Sequence, residues 1–103
     1  MSGTQMGVAR HFRINYFDRW RFLLGHCVLT VWSKSAPTLE DLRSVALTSL
    51  GHALAEGTFT VLPDGGGPVG ANPSNVRYLT VREKGQQAVI VSEAVDLSTL
   101  GGG

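Results

Sequence analysis

The chain is expected to fold as an α+β domain, a small antiparallel sheet of four to five strands packed on one amphipathic helix in the order β-β-α-β-β-β. Three observations lead there. One stretch, Thr38 to Glu56, carries helical periodicity with start and stop signals at its two ends. The segments on both sides of it alternate with period two or are rich in β-branched residues. The length of 103 residues suffices for one hydrophobic core and not for two. An apolar share of 43% with a charged share of 17% belongs to a chain that folds, since a disordered one would be poorer in the first and richer in the second.

Residues 1–9 are small and polar and read as an N-terminal arm; residues 10–95 form the single domain. His11 to Phe17 alternates, with Phe12, Ile14 and Tyr16 on one side and Arg13 and Asn15 on the other, the pattern of a half-buried strand. A competing reading starts a short helix at Asp18, because Trp20, Leu23, Leu24 and Cys27 have helical spacing and Asp18 is a suitable N-cap. Phe22 to Trp32 gains β-branched and aromatic residues towards its end and reads as a buried strand. Its apolar residues occupy nearly every position, so both faces are expected to be covered, one by the helix and one by another chain or layer.

The helix follows Pro37. Thr38 stands as N-cap, Glu40 and Asp41 place negative charge in the first turn, and Gly57 sits where a left-handed residue would end it. Leu42, Val45, Ala46, Ser49, Leu50, Ala53 and Leu54 recur at three and four residues and form the apolar stripe; Leu39 and Leu47 fall outside it. Thr58 to Leu62 reads as a short strand that stops at Pro63. Residues 63–75 hold three prolines, four glycines, two asparagines and an aspartate, the composition of a long loop and a candidate contact loop. Val76 to Glu83 and Gln87 to Val95 form a hairpin about Lys84-Gly85. Residues 96–103 are a C-terminal tail ending in three glycines.

The formal charge of +1 is spread unevenly. Residues 1–34 hold Arg10, Arg13, Arg19, Arg21 and Lys34 against Asp18 alone, a balance of +4. From residue 35 onward Arg43, Arg77, Arg82 and Lys84 meet Glu40, Asp41, Glu56, Asp64, Glu83, Glu93 and Asp96, a balance of −3. Such asymmetry suits a nucleic-acid surface at the basic end, or a basic face of one copy meeting an acidic face of the next. A single cysteine, Cys27, leaves no intrachain disulfide, which makes a reducing cytoplasm the expected location. Residues 1–9 lack the basic start and apolar run of a secretory signal, and no apolar stretch approaches the ~20 residues of a membrane-spanning helix.

Catalytic and metal chemistry find little support. His26 precedes Cys27, but neighbours on a strand point to opposite faces, and a thiol among apolar side chains is a poor nucleophile. His11, His26, Cys27 and His52 lack the short paired spacing of zinc ligands. Gly65-Gly66-Gly67-Pro68 has no Gly-Lys-Ser/Thr and reads as a flexible turn rather than a phosphate loop. Glu40 and Asp41 are explained by the start of the helix. No catalytic residue, metal, cofactor or small-molecule substrate is therefore expected.

The segment from Arg10 to Phe22 stands apart. Its arginines are interleaved with Phe12, Tyr16, Phe17, Trp20 and Phe22, a combination that grips phosphates and stacks bases, or that anchors a protein interface. Arg10, Arg13, Tyr16, Arg19, Trp20 and Arg21 are the candidate interaction residues. The leading expectation is a non-enzymatic structural or assembly protein forming homo-oligomers, such as a virion or phage particle component. The alternative is a small nucleic-acid-binding protein using residues 10–22. A third reading rests on outline alone: a strand pair, one helix, further strands and a terminal Gly102-Gly103 resemble the β-grasp order of ubiquitin-like modifiers, without their other sequence patterns.

Overall fold

A computed structural model describes residues 8–33, 37–59 and 71–100. Strand β1 (Val8–Phe17) and strand β2 (Leu23–Ser33) form an antiparallel hairpin, helix α1 (Leu39–Glu56) crosses the sheet, and strands β3 (Tyr78–Glu83) and β4 (Val91–Ala94) form a second hairpin. The two hairpins join because β3 pairs antiparallel with β1, which gives one four-stranded sheet in the order β2-β1-β3-β4. The α+β class of the sequence reading holds, and α1 packs on one sheet face.

Strand alternation decides which side chains meet the helix. Phe12, Ile14 and Tyr16 of β1, Gly25 and Cys27 of β2, Leu79 and Val81 of β3 and Val91 of β4 are buried on the helix side. Leu42, Ala46, Leu50 and Ala53 of α1 close over them, with Phe59 and Val76 at the margin. Gly25 permits the closest approach: a Cβ built there would lie 2.6 Å from Cδ1 of Phe59. The Tyr16 hydroxyl donates to the Ala46 carbonyl at 2.7 Å, tying the central strand to the helix at full burial.

The helix ends as its sequence signals. Asp41 N–H donates to Thr38 Oγ1 at 3.0 Å and Thr38 N–H donates to Asp41 Oδ2 at 3.1 Å, a reciprocal capping box. Gly57 takes φ 77°, where a side chain would be strained, and its N–H meets the last carbonyls. The stripe is narrower than the periodicity implied. Val45 is exposed, Leu47 is partly buried, and Leu39 lies in solvent, because the line through residues 42, 46, 50 and 53 is the one that faces the sheet.

Several expectations need correction. The helix considered from Asp18 does not form; Leu23 onward is strand, and the Asp18 side chain accepts from the amides of Trp20 and Phe22, so the cap serves a turn. The arm is shorter than residues 1–9, because Val8 and Ala9 already pair with Ser33 and Trp32. The second face of β2 is not covered by any described residue. Of the strand expected over Thr58 to Leu62, Thr58 and Phe59 are outside any strand and the rest lies beyond the described residues. The loop at 63–75 is described only from Ala71, where Pro73–Asn75 make a 3-10 turn capped by Asn72. The tail has some order of its own: Asp96 caps a 3-10 turn at Leu97–Thr99, and residues 101–103, which carry the Gly-Gly of the modifier reading, are not described. Among the described residues no helix is long and apolar enough to cross a membrane.

Candidate functional site

The surface of interest is the sheet face turned away from α1. By the same alternation it carries His11, Arg13, Asn15 and Phe17 from β1, and His26, Val28, Thr30 and Trp32 from β2. Tyr78, Thr80 and Arg82 come from β3, and Ser92 and Ala94 from β4. Most of these side chains are exposed or half-buried, and Trp32 is 66% exposed. Asn15 is the exception at 9%, where its Oδ1 accepts from Arg13 Nε at 3.0 Å. His11 Nδ1 and Thr30 Oγ1 lie 3.0 Å apart across the β1–β2 pair.

Charge is segregated between the two faces. Glu83 and Glu93 lie on the helix side, where Glu83 binds Arg10 through both oxygens, at 2.9 Å and 2.5 Å, and Glu93 lies 2.7 Å from Arg43. The Arg10 guanidinium holds the Glu83 carboxyl below its usual range, and Glu83 holds Arg10 above its own. The remaining described carboxylates sit on the helix, at the hairpin turn or after β4, and none lies on the open face. Arg13 and Arg82 are direct cross-strand partners there, and the Arg82 guanidinium makes no hydrogen bond or ion pair with a described residue.

The β1–β2 turn extends the face. Asp18 N–H donates to the Phe22 carbonyl and Arg21 N–H to the Asp18 carbonyl, both at 2.9 Å, which closes a three-residue hairpin loop. Its last residue must be left-handed, a place usually taken by glycine; here it is Arg21, at φ 68°. The Arg21 guanidinium lies 4.2 Å from the centre of the Tyr78 ring, and Arg19 lies 4.3 Å from that of Trp20. Trp20 and Phe22 are 64% and 69% exposed at the tip.

The six sequence candidates therefore separate. Arg13 and Arg21 are on or beside the open face, and Arg19 and Trp20 stack on each other at the tip. Arg10 is turned to the helix side and paired with Glu83. Tyr16 is not an interaction residue: it is fully buried and hydrogen-bonded to the helix, and burial drives its hydroxyl pKa upward. His26 and Cys27 point to opposite faces as expected, and burial pushes the Cys27 thiol pKa up. Phe17 belonged to the segment but was not singled out, and Tyr78, Arg82, His26 and Trp32 were missed. The signal available for them was parity, since Tyr78, Thr80 and Arg82 flank the apolar Leu79 and Val81.

The outer edge of β2 is the second open feature. Lys84 N–H donates to the His11 carbonyl and Arg77 N–H to that of Phe17, so odd-numbered β1 residues address β3 and even-numbered ones address β2. Their partners Cys27, Leu29 and Val31 thus spend their backbone groups on β1. The N–H and C=O of His26, Val28, Thr30 and Trp32 then point outward, and no described strand pairs with them. The strand is 11 residues long and contains neither a charged residue nor a proline.

The chain matches no family model, no curated protein and no solved structure.

Proposed function

We propose that the chain is a non-enzymatic assembly module that forms homo-oligomers by pairing the outer edge of β2 with β2 of a second copy. One observation carries this reading: a long, uncharged edge strand without proline. Exposed edges are normally guarded by lysine, proline, a bulge or shortness, because a row of free N–H and C=O groups recruits any other strand. Among the described residues the only irregularity of the β1–β2 pair is at Tyr16/Phe17 beside the turn, and none of them guards the stretch from His26 to Trp32.

A two-fold axis suits the groups available. Antiparallel pairing centred on Val28 sets Val28 against its own copy and His26 against Thr30, using the outward backbone groups on both sides. The same edge is self-complementary, so no second surface is needed. Opposite charges within one copy are already joined at Arg10–Glu83 and Arg43–Glu93, which leaves the basic-to-acidic association between copies less to act on. Small subunits that pair in this way suit repetitive particles, virions among them.

The test is light scattering coupled to size-exclusion chromatography. The parent chain should run as a dimer or larger, and Val28→Lys should run as a monomer that keeps a folded far-UV circular dichroism spectrum, since edge lysines oppose pairing between copies. A monomeric parent chain at high concentration sinks the reading, as does a Val28→Lys variant that stays associated.

A further inference from the structure

We propose that the uncovered sheet face binds single-stranded nucleic acid, with phosphates held by Arg13, Arg82 and Arg21 and bases stacked on Phe17 and Tyr78. This goes beyond self-assembly and does not depend on it.

Sign comes first. The described carboxylates are absent from this face, while Arg13 and Arg82 stand directly opposite each other on β1 and β3. As a hydrogen-bonded antiparallel pair their Cα atoms are about 5.5 Å apart, and like charges placed so oppose the pairing of their strands. An anion between them would turn that repulsion into attraction. The Arg82 guanidinium has no other partner among the described residues, and Arg13 spends only its Nε on Asn15.

The aromatic groups favour bases over a simple anion. Phe17 and Tyr78 are cross-strand partners on the open face, and both are half-buried. Arg21 reaches Tyr78 from a backbone conformation that disfavours side chains, so the hairpin keeps a cation beside that ring at a cost in local strain. Cationic and aromatic groups alternating over an open sheet are the means by which proteins hold unpaired bases, whose flat faces a duplex would hide. From His11 to Phe17 the strand runs about 20 Å. That is the scale of a short single-strand site of roughly four nucleotides. An acidic peptide would satisfy the arginines and leave the rings without a role.

Fluorescence anisotropy with labelled 12-mers of deoxythymidine and of uridine tests the assignment on the full chain. Three phosphate contacts predict a salt slope near −2, so affinity should fall roughly twenty-fold between about 50 and about 200 mM salt. Arg82→Gln should flatten that slope by about 0.7. Tyr78→Leu should weaken binding by roughly 5- to 150-fold at unchanged slope, and Tyr78→Phe should restore it. Arg43→Gln, on the helix side, should change neither quantity. Failure of both oligonucleotides to bind at low salt overturns the proposal, and so does binding that survives Arg13→Gln with Arg82→Gln. Equal binding of heparin together with indifference to Tyr78→Leu would also overturn it, assigning the face to anions or acidic peptides. If Tyr78→Leu does not fold, the Tyr78→Phe and arginine variants decide alone.

Discussion

Gly25→Ala probes the contact that lets the second strand lie against the end of the helix. The added Cβ would stand 2.6, 2.7 and 2.8 Å from three ring atoms of Phe59, where carbon atoms prefer about 3.5–4.0 Å. The ring must therefore move by roughly 1 Å. It has little room, being 3% exposed with its centroid 6.0 Å from that of Tyr16. Overpacking of this kind costs about 1–3 kcal/mol, and replacing glycine in a strand returns about 0.5–1 kcal/mol, for a net loss centred near about 1 kcal/mol and no larger than about 2.5 kcal/mol. At this size each kcal/mol lowers the melting temperature by about 4–8 °C. In a Phe59→Ala background, itself about 3–5 kcal/mol less stable, the same substitution should be neutral or slightly stabilising. Urea unfolding of the four proteins of this cycle gives the coupling directly. Far-UV circular dichroism is the better probe, because Trp20 and Trp32 are both largely exposed and will report unfolding poorly. A cost of equal size in both backgrounds would refute the steric account.

Two further expectations concern the polar contacts. Tyr16→Phe removes the hydroxyl that donates to the Ala46 carbonyl and should destabilise the fold by about 1–2 kcal/mol, measured by urea unfolding, without altering oligomeric state or oligonucleotide binding. Glu83 has a folded pKa below its ordinary 4.5 because of Arg10, so its contribution to stability is present above that value and lost as pH falls through the folded one. Melting temperatures followed from about pH 6 to about pH 3 should show this loss, and Glu83→Gln should remove that part of the dependence.

What the sequence revealed, and what it hid, follows from the range of the interactions. The helix was legible to its caps because Thr38, Asp41 and Gly57 act within one turn of where they stand. The inward face of β1 was legible because alternation alone sorts Phe12, Ile14 and Tyr16 from Arg13 and Asn15. Asp18 was ambiguous for a physical reason: a carboxylate accepting from the amide two residues on serves a turn or a helix start equally well, and the following strand pairing, which brings the Phe22 amide to the same oxygen, decides for the turn. Treating residues 10–22 as one surface failed because strand parity divides it, sending Arg10 and Tyr16 to the helix side. Nothing local announces that Tyr78 will lie beside Phe17 or Arg82 opposite Arg13. That juxtaposition needs the β1–β3 register, which comes into being only when two hairpins separated by the helix dock on each other.

The free edge and the open face share strand β2, and this constrains how the two proposals combine. Side chains opposite each other in an antiparallel pair lie on the same side of the sheet, so pairing about Val28 would keep both open faces on one side. The axis would place the β1 strands of the two copies three strand spacings apart, about 14 Å, with an Arg13–Arg82 pair in each. Two short basic strips would become one surface, and a strand of nucleic acid crossing it would gain the second site at high effective concentration. Trp32, which contributes little to the core of a single copy, would sit near the seam of that surface, where both an unpaired base and the neighbouring subunit could cover it. Association and binding would then favour each other by linkage, since a ligand that spans both copies stabilises the pair it spans.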